Sequence, residues 1–161
     1  FEPAAATALL AQMRAHMRPG DALVLAVDGP VEHARMVRAY DDAAGVTAAF
    51  NLNVLNVVNR TLGASFDATA FRHRAVFNAE ASRIEMHLVS QHAQAIALGT
   101  GQVLRLQASE HIVTEHSYKH APARAEQLLR GAGFDQLQRF GIDGEAYGVY
   151  LARIGHAESE R

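Results

Sequence analysis

Residues 18–30, RPGDALVLAVDGP, decide the reading of the fold. Pro19-Gly20-Asp21 is turn chemistry: proline presets φ, glycine enters the left-handed region without penalty, and aspartate bonds to nearby backbone N–H groups. The six apolar residues at 22–27 have the composition of a strand buried on both faces, and Asp28-Gly29-Pro30 ends it. Upstream, Leu9, Leu10, Met13 and Met17 recur at helical spacing over residues 3–17, with Pro3 in the first turn, where its missing N–H costs nothing. A helix, a turn and a buried strand in that order make one unit of an α/β sheet. Asp28 then stands at the carboxyl end of a strand, where open α/β sheets place ligands. Because a strand-ending aspartate is also ordinary turn chemistry, it ranks as a minor candidate.

Working outward toward the carboxyl end, the pattern is helical over residues 31–62, in two pieces separated by Asp41-Asp42-Ala43-Ala44-Gly45. The second piece carries Val46, Phe50, Val54, Leu55, Val57 and Val58 as a broad apolar stripe, and Gly63 is its expected end. The texture then changes. Stretches 71–77, 83–90, 94–98, 103–106 and 111–118 are rich in β-formers with turn residues between them, which predicts antiparallel strands. Residues 123–131 are helical again and Gly133 closes them. Stretches 136–140 and 147–154 pair as a final hairpin around Gly141-Ile142-Asp143-Gly144, and residues 156–161 are polar enough to fray. The expectation is an α/β fold with sheet-forming segments at both ends, residues 1–31 and 121–161, and an inserted α+β domain over residues 32–120.

Composition excludes several function classes. A chain of 161 residues with 49% hydrophobic residues is long enough to bury a sizeable core. Its 15 Lys+Arg against 17 Asp+Glu give a net charge of −2, with no basic run to neutralise a row of phosphates, so nucleic acid is not an expected partner. Zero cysteines exclude disulfides, thiolate metal sites and cysteine nucleophiles, and fit a reducing compartment, with the cytoplasm as the default. The opening PAAATALLAQM lacks the basic leading segment of a signal peptide, and no apolar stretch approaches the ~20 residues that span a bilayer, so no membrane partner is expected.

Chemistry concentrates in three places. In TEHSYKH, residues 114–120, strand alternation puts Glu115 and Ser117 on one face, about 7 Å apart along the backbone. A carboxylate and a hydroxyl together grip both nitrogens of an imidazole and fix its tautomer, although the commoner use of such a pair is a solvated strand face. In residues 83–88, RIEMHL, alternation puts Ile84, Met86 and Leu88 on one face and Glu85 and His87 on the other, making Met86 core or pocket wall. Tyr40, just before the helix break, presents a phenol suited to an anionic ligand or, more commonly, to water. His111, His116 and His120 share a segment but differ in parity along a strand, and neither HExxH nor GxSxG occurs, so no metal site and no serine hydrolase are expected.

Taken together, AYDDAAGVTAAFN, FRHRAVFNAEASRIEMHLVS and TEHSYKH, with RPGDALVLAVD before them and LLRGAGF after, resemble the S-adenosylmethionine-dependent histidine Nα-methyltransferases of ergothioneine biosynthesis. The resemblance covers nearly the whole chain and is specific, because several separated motifs recur in order. It implies the carboxyl-terminal part of a Rossmann-type methyltransferase sheet with an inserted domain that binds free L-histidine, and three methyl transfers to the α-amine, giving hercynine. By the same resemblance Tyr40 helps hold the histidine carboxylate and Thr47 lies close to it, Met86 lines the imidazole pocket, and Glu115 and Ser117 grip the ring. It names no catalytic side chain.

S-adenosylmethionine is the implied co-substrate. The family's glycine-rich donor loop, the acidic residue for the donor's ribose and a further carboxylate-binding tyrosine are expected upstream of the position of Phe1, so this chain corresponds to the substrate-holding portion. Other readings of the same residues are a non-catalytic histidine-binding module, and one half of a split methyltransferase completed by self-association or by a separate amino-terminal half.

Overall fold

The computed structural model describes residues 1–141 and 147–155. The chain divides into two compact units, one made of Phe1–Val31 with the described residues of Tyr118–Arg161, the other of Glu32–Ser117.

In the first unit, helix α1 (Pro3–Ala15) and strand β1 (Ala22–Val27) come from the amino-terminal segment, and helix α4 (Pro122–Gly131) with strands β7 (Gln136–Phe140) and β8 (Gly148–Arg153) from the carboxyl-terminal one. The strands form a sheet in the order β1-β8-β7, and both pairings are antiparallel. Register sets Leu23 opposite Ala152 and Leu25 opposite Tyr150, so these side chains share one face. That face meets Leu10 of α1 and Ala125, Leu128 and Leu129 of α4 in a core that also holds Phe134. Strand β1 is not buried on both faces as its composition predicts. Leu23, Leu25 and Val27 turn inward, while Val24 on the opposite face is 67% exposed. The reason is that both helices pack against the same side, and an all-apolar run carries no alternation to reveal which side that is. The β7–β8 hairpin forms as expected; of the turn residues assigned to it, Gly141 is described, and Ile142, Asp143 and Gly144 lie outside the described residues, as do residues 156–161.

In the second unit, α2 (His33–Tyr40) and α3 (Val46–Leu62) precede β2 (Phe71–Asn78), β3 (Arg83–Ser90), β4 (Gln94–Ala97), β5 (Val103–Leu106) and β6 (His111–Tyr118), whose last residue belongs to the first unit. One sheet runs β2-β3-β6, and β4 pairs antiparallel with β5 apart from it. Strands β2 and β3 pair antiparallel along their whole length, Phe71 opposite Ser90 and Ala75 opposite Met86. Strand β3 is buried from Ile84 to Ser90 because it is central and covered on both faces. The core gathers Leu55 of α3 with Phe71, Leu88, Ile96 and Leu106.

The break between α2 and α3 falls at the expected residues. Gly45 takes φ +71 at the start of α3, and Gly63 takes φ +64 at its end, a region that glycine enters freely. The buried face of α3 differs from the expected stripe. Among the expected residues Leu55 is buried, whereas Val46, Phe50, Val54 and Val57 are exposed, Phe50 at 64%. The inward face instead carries Asn51, fully buried. A helix with apolar residues on several sides leaves the choice of face to its partners, and here polar partners of Asn51 make that choice.

Candidate functional site

All five candidate residues lie in the unit Glu32–Ser117. Tyr40 is the last residue of α2, a helix whose first turn is capped by Glu32, which accepts from the N–H groups of Ala34 (2.9 Å) and Arg35 (3.0 Å). These two N–H groups lower the Glu32 carboxyl pKa, as a helix amino-terminus favours the anion. Beyond Tyr40 the backbone leaves the helix at Asp41, with φ −141 and ψ 70. The half-buried Tyr40 phenol meets Ser117 of β6, Oη to Oγ 2.7 Å.

Asp42 organises the turn into α3. Its carboxylate accepts from the backbone N–H of Thr47 (2.8 Å) and of Val46 (3.1 Å). Its pKa is lowered from 3.8 to about 2, first by the Thr47 N–H, then by the Thr47 hydroxyl and the Val46 N–H. Thr47 is thus anchored in the first turn of α3, half-buried.

Met86 is buried in the middle of β3, and its carbonyl accepts from Thr114 Oγ1 at 3.0 Å. The same hydroxyl lies 2.6 Å from Asn51 Oδ1. Asn51 Nδ2 donates toward His73 Nδ1 (2.9 Å) and the carbonyl of His87 (3.3 Å), and His73 Nε2 stands 2.8 Å from the Tyr40 carbonyl. Asn51 closes the stretch AYDDAAGVTAAFN and His73 lies in FRHRAVFN, but neither stands out there as a site residue; an asparagine within an apolar helical run is the one signal that a polar partner waits inside.

Glu115 is exposed and its side chain makes no hydrogen bond or ion pair among the described residues; with Val113, Thr114 and His116 it lines a shallow depression of about 130 Å³. Alternating exposure along β6 runs from His111 to Glu115 and then breaks, Glu115 and His116 both exposed, Ser117 and Tyr118 both half-buried. The structure therefore brings Tyr40 and Ser117 into contact and leaves the Glu115 carboxylate open to solvent.

The opposite face of β3 carries a second polar group. Glu85 accepts from Arg83 Nε (2.8 Å), Asn78 Nδ2 (3.1 Å) and His87 Nε2 (3.0 Å). Arg83 first, then His87, hold the Glu85 pKa down to about 2. Burial lowers the His87 pKa despite the adjacent carboxylate, and its ring stacks on His111 at 4.3 Å between centroids. In the other unit, Asp28 accepts from Nζ of the buried Lys119 at 2.9 Å, and His120 stacks on Tyr118. Asp28 thus neutralises a buried ammonium.

No helix among the described residues is long and apolar enough to cross a membrane. Compared with known proteins, residues 1–154 match the family described as histidine-specific, SAM-dependent methyltransferases. The chain is 41% identical over 151 residues to the histidine N-alpha-methyltransferase of Mycolicibacterium smegmatis, covering 93% of this chain and 47% of that protein. It is 42% identical over 137 residues to the enzyme of the same name from Mycobacterium tuberculosis, covering 84% and 43%. A more distant relative, ergothioneine biosynthesis protein 1 of Neurospora crassa, is 28% identical over 140 residues, 15% of that protein's length. The chain spans about half the length of the bacterial relatives it matches.

Proposed function

The chain belongs to the histidine-specific, SAM-dependent methyltransferase family, and from that membership we propose that it is the substrate-holding portion of an enzyme that methylates the α-amine of L-histidine in ergothioneine biosynthesis. The unit Glu32–Ser117 is the histidine-binding domain, and the other unit is part of a Rossmann-type methyltransferase sheet. The observation that carries the reading is the pairing of Tyr40 with Ser117, two residues along β6 from the exposed Glu115.

In this reading Tyr40 serves the carboxylate of histidine, with Thr47 near it. Met86 forms the pocket wall, and Glu115 and Ser117 take the two ring nitrogens. Each hydroxyl of the Tyr40–Ser117 pair can offer a proton or a lone pair to a ligand. An amino acid lacking ring nitrogens leaves these groups unpaired once desolvated, a penalty of about 1–3 kcal/mol per group. S-adenosylmethionine supplies an electrophilic methyl group, and the donor-binding residues are assigned to the half of the relatives' length outside the matched span. The lone pair of the neutral α-amine forms the new N–C bond as the sulfur–methyl bond breaks, and the ammonium proton passes to solvent. The protein's part is alignment and exclusion of water, with no covalent enzyme intermediate.

Calorimetric titration of the chain with L-histidine, with L-phenylalanine as the control, tests the reading. Heat from histidine and none from phenylalanine is expected. Equal responses to the two amino acids, or none to either, would overturn it.

A further inference from the structure

We infer that Asn51 and His73 are positioning residues for the substrate-holding pair: Asn51 fixes which nitrogen of His73 carries the proton, and His73 thereby fixes the end of α2 from which Tyr40 reaches Ser117. The inference rests on the reading of Tyr40 and Ser117 as substrate-binding residues.

The His87 carbonyl can only accept, so the end of the Asn51 amide that faces it at 3.3 Å is the NH2 group. The same NH2 group faces His73 Nδ1 at 2.9 Å and can only donate, so Nδ1 is the unprotonated, accepting nitrogen. The ring proton is then on Nε2, 2.8 Å from the Tyr40 carbonyl, which again can only accept. The other tautomer, or a doubly protonated ring, would set two donors face to face beside a fully buried amide.

The consequence lies at Tyr40. Carbonyls in the last turn of a helix lack intrahelical partners, and His73 supplies one for Tyr40 where the chain leaves α2. Holding that carbonyl holds the backbone from which the phenol projects to Ser117 Oγ, 2.7 Å away. On its other side the Asn51 amide oxygen lies 2.6 Å from Thr114 Oγ1, three residues before Ser117 on β6. One buried amide is therefore bonded both to the ring that holds α2 and to the strand that carries Ser117. An aliphatic residue would fill the same space without the cost of burying a polar group, so what Asn51 contributes is geometry rather than stability.

The ring nitrogens of His73 can be read by ¹⁵N nuclear magnetic resonance of the folded chain, alongside calorimetric titration with L-histidine and the ¹³Cζ signal of Tyr40. In the native chain His73 should carry its proton on Nε2. Asn51→Asp should move a proton onto Nδ1. His73→Phe should shift the Tyr40 signal and weaken L-histidine binding about tenfold, the loss of one desolvated hydrogen bond. His73→Gln, whose amide still donates to the Tyr40 carbonyl, should keep the native affinity and Tyr40 signal. Should Asn51→Asp fail to fold, the native tautomer and the two His73 variants decide the matter. A native proton on Nδ1, or a Tyr40 signal unmoved in His73→Phe, would overturn the inference. A native chain that binds no L-histidine while showing the expected tautomer and Tyr40 shifts would overturn the functional reading and leave the positioning role standing.

Discussion

Tyr40 and Ser117, 77 positions apart in the chain, share a hydroxyl–hydroxyl hydrogen bond of 2.7 Å in which either oxygen can donate. The bond joins the end of α2 to β6, two elements that local sequence does not connect. Each hydroxyl can both donate and accept, so either can turn toward a ligand atom while the elements that carry them stay in place.

The strength of that link is measurable by a double-mutant cycle. Tyr40→Phe and Ser117→Ala should each destabilise the chain, and the coupling between them in denaturant unfolding should be about 0.5–1.5 kcal/mol, the net worth of one partly buried hydrogen bond. Simple additivity of the two variants would show that the hydroxyls do not depend on each other.

Glu115 separates binding from scaffold. Being exposed and without a bonded partner among the described residues, it should tolerate Glu115→Ala with unfolding free energy within about 0.5 kcal/mol of native. Affinity for L-histidine should fall about tenfold or more as the imidazole loses a charged acceptor. Titration of the variant decides it, and an unaltered affinity would remove Glu115 from the site.

Asp42 makes the first turn of α3 sensitive to acid. Its folded pKa of about 2 lies below its ordinary 3.8, so the folded state favours the anion. The cap's contribution is complete above the unfolded value and is lost as pH falls from about 4 toward 2. Protection of the Val46 and Thr47 amides, measured against the intrinsic exchange rate at each pH, should fall over that window, and Asp42→Asn should abolish that loss of protection.

His87 acts at higher pH with the sign of a depressed base. Burial lowers its pKa below 6.5, so the folded state favours the neutral ring. The stabilisation is present above pH 6.5 and declines as pH falls below it, because the unfolded chain takes up the proton first. The melting temperature should therefore drop between pH 7.5 and 5.5. His87→Gln should flatten part of that slope and leave the remainder that the likewise lowered His120 contributes. An unchanged slope in His87→Gln would assign the effect elsewhere.

Much of the secondary structure was legible because its signals are local. Turn chemistry at Asp41-Asp42-Ala43-Ala44-Gly45 marked the boundary between α2 and α3, and the β-forming stretches between turn residues gave β2 to β6 nearly at their observed ends. Alternation in RIEMHL likewise put Glu85 and His87 on one face, where they bond at 3.0 Å. Faces and partners were harder to read. In α3 the apolar residues spread over too many sides to name the buried one, and β1 had no alternation at all. Along β6 simple parity fails after Glu115, so Ser117 reaches Tyr40 through a change of pattern that no local rule announces.

The order and kind of elements and the family membership are written locally in the residues, since propensity, turn chemistry and motif order act over a few residues at a time. Long-range packing set the rest: Asn51 points inward, His73 takes the Tyr40 carbonyl and Tyr40 meets Ser117. Those choices depend on donors and acceptors far apart in the chain, each of which must find a partner once water is excluded.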